Sequence, residues 1–342
     1  MTVDDSLLAA LGWTGSPPPR IDGLGRVSVV HGPSAEVYEV DPQSERWMVR
    51  EGVRFSNTLP LTPVAGDWVR VEAGVITMVW PRTTALGRPS QGGTVRQTLA
   101  ANLDVVIVAV PIDLGLNVRM TERLAVMAWD SGAVPVITLT KCDACPDVQG
   151  VVSQAQDLVP GVEVLPTSAI TGEGLRHLES VLGKGSTGCL LGASGVGKTS
   201  LLNSLGGFDE AVYEVRSDGQ GRHTTTTRKL HLLPNGGILI DIPGLRSLEL
   251  DVGADALGGV FSDISTLEGG CRFSDCTHSH EPDCAIKAAV VEGELSEARV
   301  HDWGAIQREM AHQNRKSDPL ARAREKAKWK AVSKAHRSRD HG

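Results

Sequence analysis

GASGVGKT, Gly192 to Thr199, stands between the apolar run CLL and the helical pattern TSLLNSL. A strand that turns through glycines into a helix points its backbone N–H groups at one spot, and the helix N-terminus adds positive potential there. That arrangement fits a nucleoside triphosphate. Gly192, Ala193, Ser194, Gly195, Val196 and Gly197 form the cradle, Lys198 brings charge to the β and γ oxygens, and the hydroxyl of Thr199, beside Ser200, is a ligand for Mg2+. Farther along, DIPG closes the apolar run ILIDIPG. Its Asp241 carboxylate is placed to reach Mg2+ through water, and Gly244 to turn toward the γ-phosphate.

The base is read by another stretch. In TKCD, Thr140 to Asp143, the Asp143 carboxylate can accept from the N1 and N2 donors of guanine, which adenine lacks, while the stem of Lys141 lies across the ring. Thr140 stands where Asn is commoner, which bears on affinity more than on base choice. TSAITGEG, Thr167 to Gly174, resembles the segment that runs beneath guanine and offers Ser168 and Ala169. GRHTTTT, Gly221 to Thr227, lies between the phosphate-loop helix and the strand of DIPG, where a switch loop belongs. One of Thr224, Thr225 and Thr226 is expected on Mg2+, with Thr225 the candidate. Leu245 follows Gly244 where many GTPases carry Gln, and an apolar side chain cannot orient water. His223, adjacent to the switch threonines, is the candidate for that task; Lys198 is the other catalytic residue. TKCD precedes the phosphate loop by more than forty residues, whereas an ordinary GTPase has it downstream.

A chain of 342 residues with 41% hydrophobic content should divide into two or three domains. Residues 1–20, ending in three prolines, read as a flexible lead-in. Residues 21–88 carry five short β-rich runs, RVSVV, AEVYEV, RWMVR, DWVRVE and VITMVW, which suit an OB-like barrel or another small β module. Pro81 to Gly93 has linker composition. Over residues 96–252, VVIVAV, VPVITLT, VEVLPTS, TGCLLG and ILIDIPG alternate with helical patterns, the signature of a parallel sheet wrapped by helices. Beyond about Leu250 strands give way, over residues 253–342, to a cysteine cluster and two helical segments, one around Ala285 to Met310 and one in the tail.

Cys271, Cys276, His278 and Cys284 form C-x4-C-x-H-x5-C, three thiolates and one imidazole that suit one tetrahedral Zn2+. All four places are filled by protein, so the site is structural; His280 is the rival ligand. Cys142 and Cys145 are spaced like a redox pair, but Cys142 is the variable residue of TKCD. No apolar run reaches the roughly 18 residues of a membrane span, and Met1 to Trp13 carries Asp4 and Asp5 where a signal peptide would be basic. The expectation is a cytoplasmic protein with no membrane partner. Residues 311–342 carry +7 and the rest of the chain −14, which suggests a basic segment meeting a polyanion or a solvated charged face.

Together, the barrel-like start, TKCD, TSA, GASGVGKTS, GRHTTT, DIPG, CRFSDCTHSHEPDC and the basic tail resemble the circularly permuted GTPases, and among them the ribosome small-subunit-dependent GTPase A (RsgA/YjeQ) family. The match covers nearly the whole chain after residue 20. It implies a multidomain protein with an N-terminal OB-like β-barrel, a circularly permuted α/β P-loop GTPase domain and a C-terminal zinc-binding helical domain. It further implies GTP hydrolysis to GDP stimulated by the small ribosomal subunit, late in that subunit's maturation, with contacts to its rRNA; a monomer is expected. Ile242 departs from the family's usual Thr at a position that is not expected to touch phosphate. Two other readings stay open, a nucleotide-regulated RNA-binding scaffold and, against TKCD, a P-loop ATPase or small-molecule kinase.

Overall fold

The structure, a computed structural model, describes residues 5–13, 23–41, 46–90, 96–208, 228–245, 250 and 252–317. The chain forms two compact units, Met1–Gly87 with Thr98–Leu248, and Arg88–Gln97 with Glu249–Gly342.

The first unit opens with helix α1 (Asp5–Ala10). Leu8 and Leu11 are buried with Leu24 and Trp68, and Trp13 meets Trp68 edge-on at 4.9 Å. The lead-in expected to be flexible is therefore partly docked, because LLAAL with Trp13 offers an apolar stripe that the prolines downstream obscured. Strands β1 (Leu24–His31), β2 (Ser34–Asp41), β3 (Arg46–Phe55), β4 (Trp68–Glu72) and β5 (Val75–Val79) follow in the order β1-β2-β3-β5-β4, and β4 pairs back onto β1. Alternate side chains, Val27, Val37, Val53, Val69 and Ile76, fill the interior of this five-stranded barrel.

Strand β6 (Ala85–Pro89), inside the stretch with linker composition, pairs with strand β7 (Arg96–Ala101), just beyond it, as a two-stranded sheet. Gly and Pro there argue against a central strand, but a two-stranded ribbon has only edges and tolerates them.

The second half of the first unit contains, in chain order, β8 (Val105–Pro111), α2 (Val118–Asp130), β9 (Val134–Thr140), α3 (Val148–Leu158), β10 (Glu163–Pro166), α4 (Leu175–Val181), β11 (Thr187–Leu191), α5 (Lys198–Gly206), β12 (Lys229–Leu232) and β13 (Ile238–Asp241). Five strands run parallel in the order β10-β9-β8-β11-β13, with β12 antiparallel beyond β13. All of β8 except its last residue is buried, as the unbroken apolar run requires of a strand covered on both faces. β12 in turn pairs with β1 through Val29 and Lys229, so sheet and barrel are continuous.

Arg26 of β1 is fully buried where these parts meet. Its guanidinium donates to the carbonyls of Gly66 (3.3 Å), Asn102 (3.1 Å) and Leu11, and to the Thr187 hydroxyl (2.9 Å), with Trp68 stacked 5.2 Å away. Burial pulls its pKa down to about 10, opposed by Asp104 and Asp67, so the cation persists at neutral pH. Arg26→Ala would leave several buried acceptors without donors and is expected to destabilise the first unit by about 3 kcal/mol. Urea titration read by tryptophan fluorescence checks this; an unchanged midpoint would contradict it.

The second unit is helical: α6 (Ala254–Val260), α7 (Ser262–Glu268), α8 (Ala285–Glu292) and α9 (Glu297–Ser317). α6 and α7 were not expected. Gly258 and Gly259 hide the helical spacing of Ala256, Leu257, Val260, Phe261 and Ile264, all of which are buried. Arg299 grips the Asp263 carboxylate in a bidentate ion pair at 3.0 and 3.1 Å and lies 4.2 Å above the ring of Phe261. Among the described residues no helix is long and apolar enough to cross a membrane.

Candidate nucleotide site and metal centre

Because β10, β9, β8, β11 and β13 are parallel, their C-terminal ends share one sheet edge, the usual place for ligands in such sheets. TKCD leaves β9, TSA leaves β10, GASGVGKT leaves β11 and DIPG leaves β13. Strands β9 and β11 are separated only by β8, so Thr140 and Gly192 emerge about 10 Å apart. The motifs that sequence order separates are neighbours in space.

The phosphate loop is held from three sides. Gly195 and Gly197 take φ of 80° and 98°, the left-handed region that favours glycine. A Cβ on Gly192 would come within 2.7 Å of the Ala109 carbonyl, and one on Gly244 within 2.7 Å of Ser194 Cα, so DIPG presses directly on the loop. The Leu245 N–H donates to the Gly192 carbonyl at 3.1 Å, and the Leu245 side chain is buried. Ile242 is buried too.

Lys198 opens α5, Thr199 and Ser200 follow in its first turn, and the Lys198 ammonium donates to the carbonyls of Gly192 (3.1 Å) and Ala193 (2.8 Å). Burial lowers its pKa to about 8, against the opposing pull of Asp241. Asp241, buried at the end of β13, is close enough to Lys198 to oppose that shift by its charge.

The Thr140 hydroxyl donates to the Val196 carbonyl at 2.6 Å, a buried bond that ties the end of β9 to the phosphate loop. Lys141 adopts φ 60° and its ammonium bonds Asp113 Oδ2 at 2.9 Å. Asp143 is exposed in a short 3-10 turn, Cys142–Ala144. Cys142 N–H donates to the Thr167 carbonyl (3.2 Å), and the Ser168 hydroxyl accepts from the N–H groups of Ile170 and Thr171 (3.1 Å each), which sets Ser168 and Ala169 beside TKCD. Burial drives the Cys142 thiol up to about 11, which leaves little thiolate for redox chemistry. His223, Thr224, Thr225 and Thr226 lie outside the described residues. Asp113, which the structure pairs with Lys141, was not singled out from the sequence, because no local pattern marks it.

In the second unit the ligand atoms of Cys271, Cys276, His278 and Cys284 lie within 4.8 Å of one another. His278 Nδ1 is 3.6 Å from the Cys271 sulfur and 3.4 Å from that of Cys284, and the two sulfurs are 4.0 Å apart. Sulfur and nitrogen ligands around tetrahedral zinc sit about 3.5–3.8 Å apart, so donor set and spacing are compatible with it. His278 Nε2 faces Glu268 at 3.7 Å, the carboxylate partner that orients a ligating imidazole. The Glu281 carboxylate accepts from Thr277 Oγ1 (2.5 Å) and from the N–H groups of Thr277, Ser279 and His280, and these bonds, led by the Thr277 hydroxyl, hold its pKa down to about 2. His280 is exposed and outside the cluster.

Residues 79–251 match the RsgA GTPase family. The chain is 40% identical to the small ribosomal subunit biogenesis GTPase RsgA of Streptomyces coelicolor, over 96% of this chain and 94% of that protein. It is 36% identical to a Listeria monocytogenes protein of the same description, over 92% and 91%. The crystal structure of YjeQ from Thermotoga maritima superposes with a TM-score of 0.62 at 27% identity, covering 84% of this chain and 98% of that one. With a family match over about half its length and such relatives along nearly all of it, the chain belongs to the RsgA GTPase family.

Proposed function

We propose that this chain hydrolyses GTP to GDP and phosphate as a switch that acts in maturation of the small ribosomal subunit, stimulated by that subunit and bound to its rRNA. The observation that carries this reading is the 2.6 Å bond from Thr140 to Val196, which joins TKCD to the GASGVGKT loop and so supports a single site for base and phosphates. Asp143 selects guanine, Lys141 covers the ring, and Ser168 and Ala169 support it from TSA. The backbone from Gly192 to Gly197 and the ammonium of Lys198 hold the phosphates.

Thr199 and Asp241 are the residues that would hold Mg2+, joined by Thr225 of the switch segment. When bound, the ion neutralises charge between the β and γ oxygens. Leu245 is apolar, buried and pinned through its backbone to Gly192, so it cannot position the attacking water. We assign that role to His223, in the protein bound to the subunit. In the second unit the four-residue cluster takes Zn2+ as a structural ion, since all its ligands come from protein. The basic tail supplies an rRNA contact whose strength should fall steeply with salt. We place the protein in the cytoplasm as a monomer.

Asp143→Asn tests base recognition. Loss of a charge-assisted acceptor is expected to weaken GTP binding about ten- to a hundredfold and to favour xanthosine triphosphate, whose C2 carbonyl accepts where the guanine amino group donates. Competition binding with GTP, ATP and xanthosine triphosphate measures it, and a variant with the wild-type preference would refute the assignment.

A further inference from the structure

The turn that leaves β8 emerges between the base-reading segment and the phosphate loop, because β8 lies between β9 and β11. It is fixed at both ends. Ile112 N–H donates to the Thr140 carbonyl at 3.0 Å, Gly115 N–H returns to Ile112 at 3.1 Å, and the Asn117 side chain caps α2 by accepting from Met120 N–H at 3.1 Å. Asp113 sits on this turn, and its carboxylate lies 2.9 Å from the ammonium of Lys141. Lys141 itself stands at φ 60°, where the chain turns out of β9, and carries a stem of four carbons that would otherwise sample many rotamers.

We propose that Asp113 is a positioning residue for guanine nucleotide, its carboxylate tethering the Lys141 ammonium so that the lysine stem is extended before the base arrives. The proposal rests on the nucleotide reading of TKCD. The side chains of Lys141 and Asp113 are 41% and 31% exposed, so their attraction adds little to folding. Its effect lies in the entropy of binding: a long side chain already held in place need not be immobilised by the ligand. Freezing one such chain is equivalent to about three- to tenfold in affinity.

The test uses the full-length chain, with Kd for a fluorescent GDP analogue and KM and kcat for GTP turnover on purified small subunits. Asp113→Ala and Asp113→Asn should each raise Kd and KM about three- to tenfold, with kcat within about twofold and an unchanged melting temperature. Asp113→Glu should restore both constants. Should the alanine variant fail to fold, the asparagine variant, of equal size, carries the test. Wild-type Kd and KM in the folded variants, a loss falling on kcat, or no rescue by Glu would each overturn the tether. Asp143→Asn, run in parallel, separates the two levels. If it alters base preference while the Asp113 variants bind normally, only the tether is wrong; if it leaves base preference unaltered, the underlying site reading is wrong.

Discussion

Lys198→Ala is expected to lower subunit-stimulated GTP turnover by about 10²- to 10³-fold, the cost of removing one preorganised charge from a reacting centre. The side chain is nearly buried, at 7% exposure, and its ammonium rests on Gly192 and Ala193 at the mouth of α5, where the proposed site would meet the charge of a transferring phosphate. Phosphate release with purified subunits measures the loss, and turnover within about fivefold of wild type would remove Lys198 from the mechanism. His223→Ala should also depress stimulated turnover while GTP still binds; unchanged stimulation would reject it as the water-orienting group. The lysine variant also separates an enzyme from a scaffold, since a scaffold would still bind the subunit and support its maturation without turnover.

The lowered pKa of Lys198 gives the same prediction a pH axis. In the free protein the ammonium loses its proton as pH rises through about 8, so kcat/KM should fall there. Stability should move the other way. Between about 8 and 10.5 the unfolded chain holds the proton that the folded chain has released, so folding is favoured as pH rises across that window.

Removing metal from the second unit is expected to unfold the stretch from Cys271 to Cys284. No residue from Glu268 to Asp283 is buried, so no apolar core holds these turns, whereas structural zinc supplies roughly 10–16 kcal/mol in zinc-finger peptides. Purified protein should contain one zinc per chain. Chelation or Cys276→Ser should abolish hydrogen-exchange protection in the loop and leave α9, anchored by buried Trp303, Ile306 and Met310, largely protected. A loop that keeps its protection after complete metal loss would show that the bonds to Glu281 suffice.

The sequence made the chemistry legible where chemistry restricts the residue. Close backbone and a cation suit a phosphate, so GASGVGKT reads as a candidate cradle, and the spacing of Cys271, Cys276, His278 and Cys284 anticipates a cluster that the fold brings together. Continuous apolar runs likewise revealed the parallel strands. What escaped was decided by distant partners. Arg26 looks like an ordinary strand arginine until Leu11, Gly66, Asn102 and Thr187 surround it, and Asp113 acquires meaning only because β8 is threaded between β9 and β11. Gly258 and Gly259 weaken the helical pattern of α6, and three prolines mask the apolar stripe of Leu8 and Leu11; in both places burial overrides local propensity.

The single bridge from Val29 to Lys229 has a further consequence for colloidal behaviour. A mixed sheet ordinarily presents two open flanks on which a stranger's backbone could add and seed fibrils. Here one flank is shut by a barrel that closes on itself, and the other is β10, four residues long and ended by Pro166, which has no N–H to offer an incoming strand.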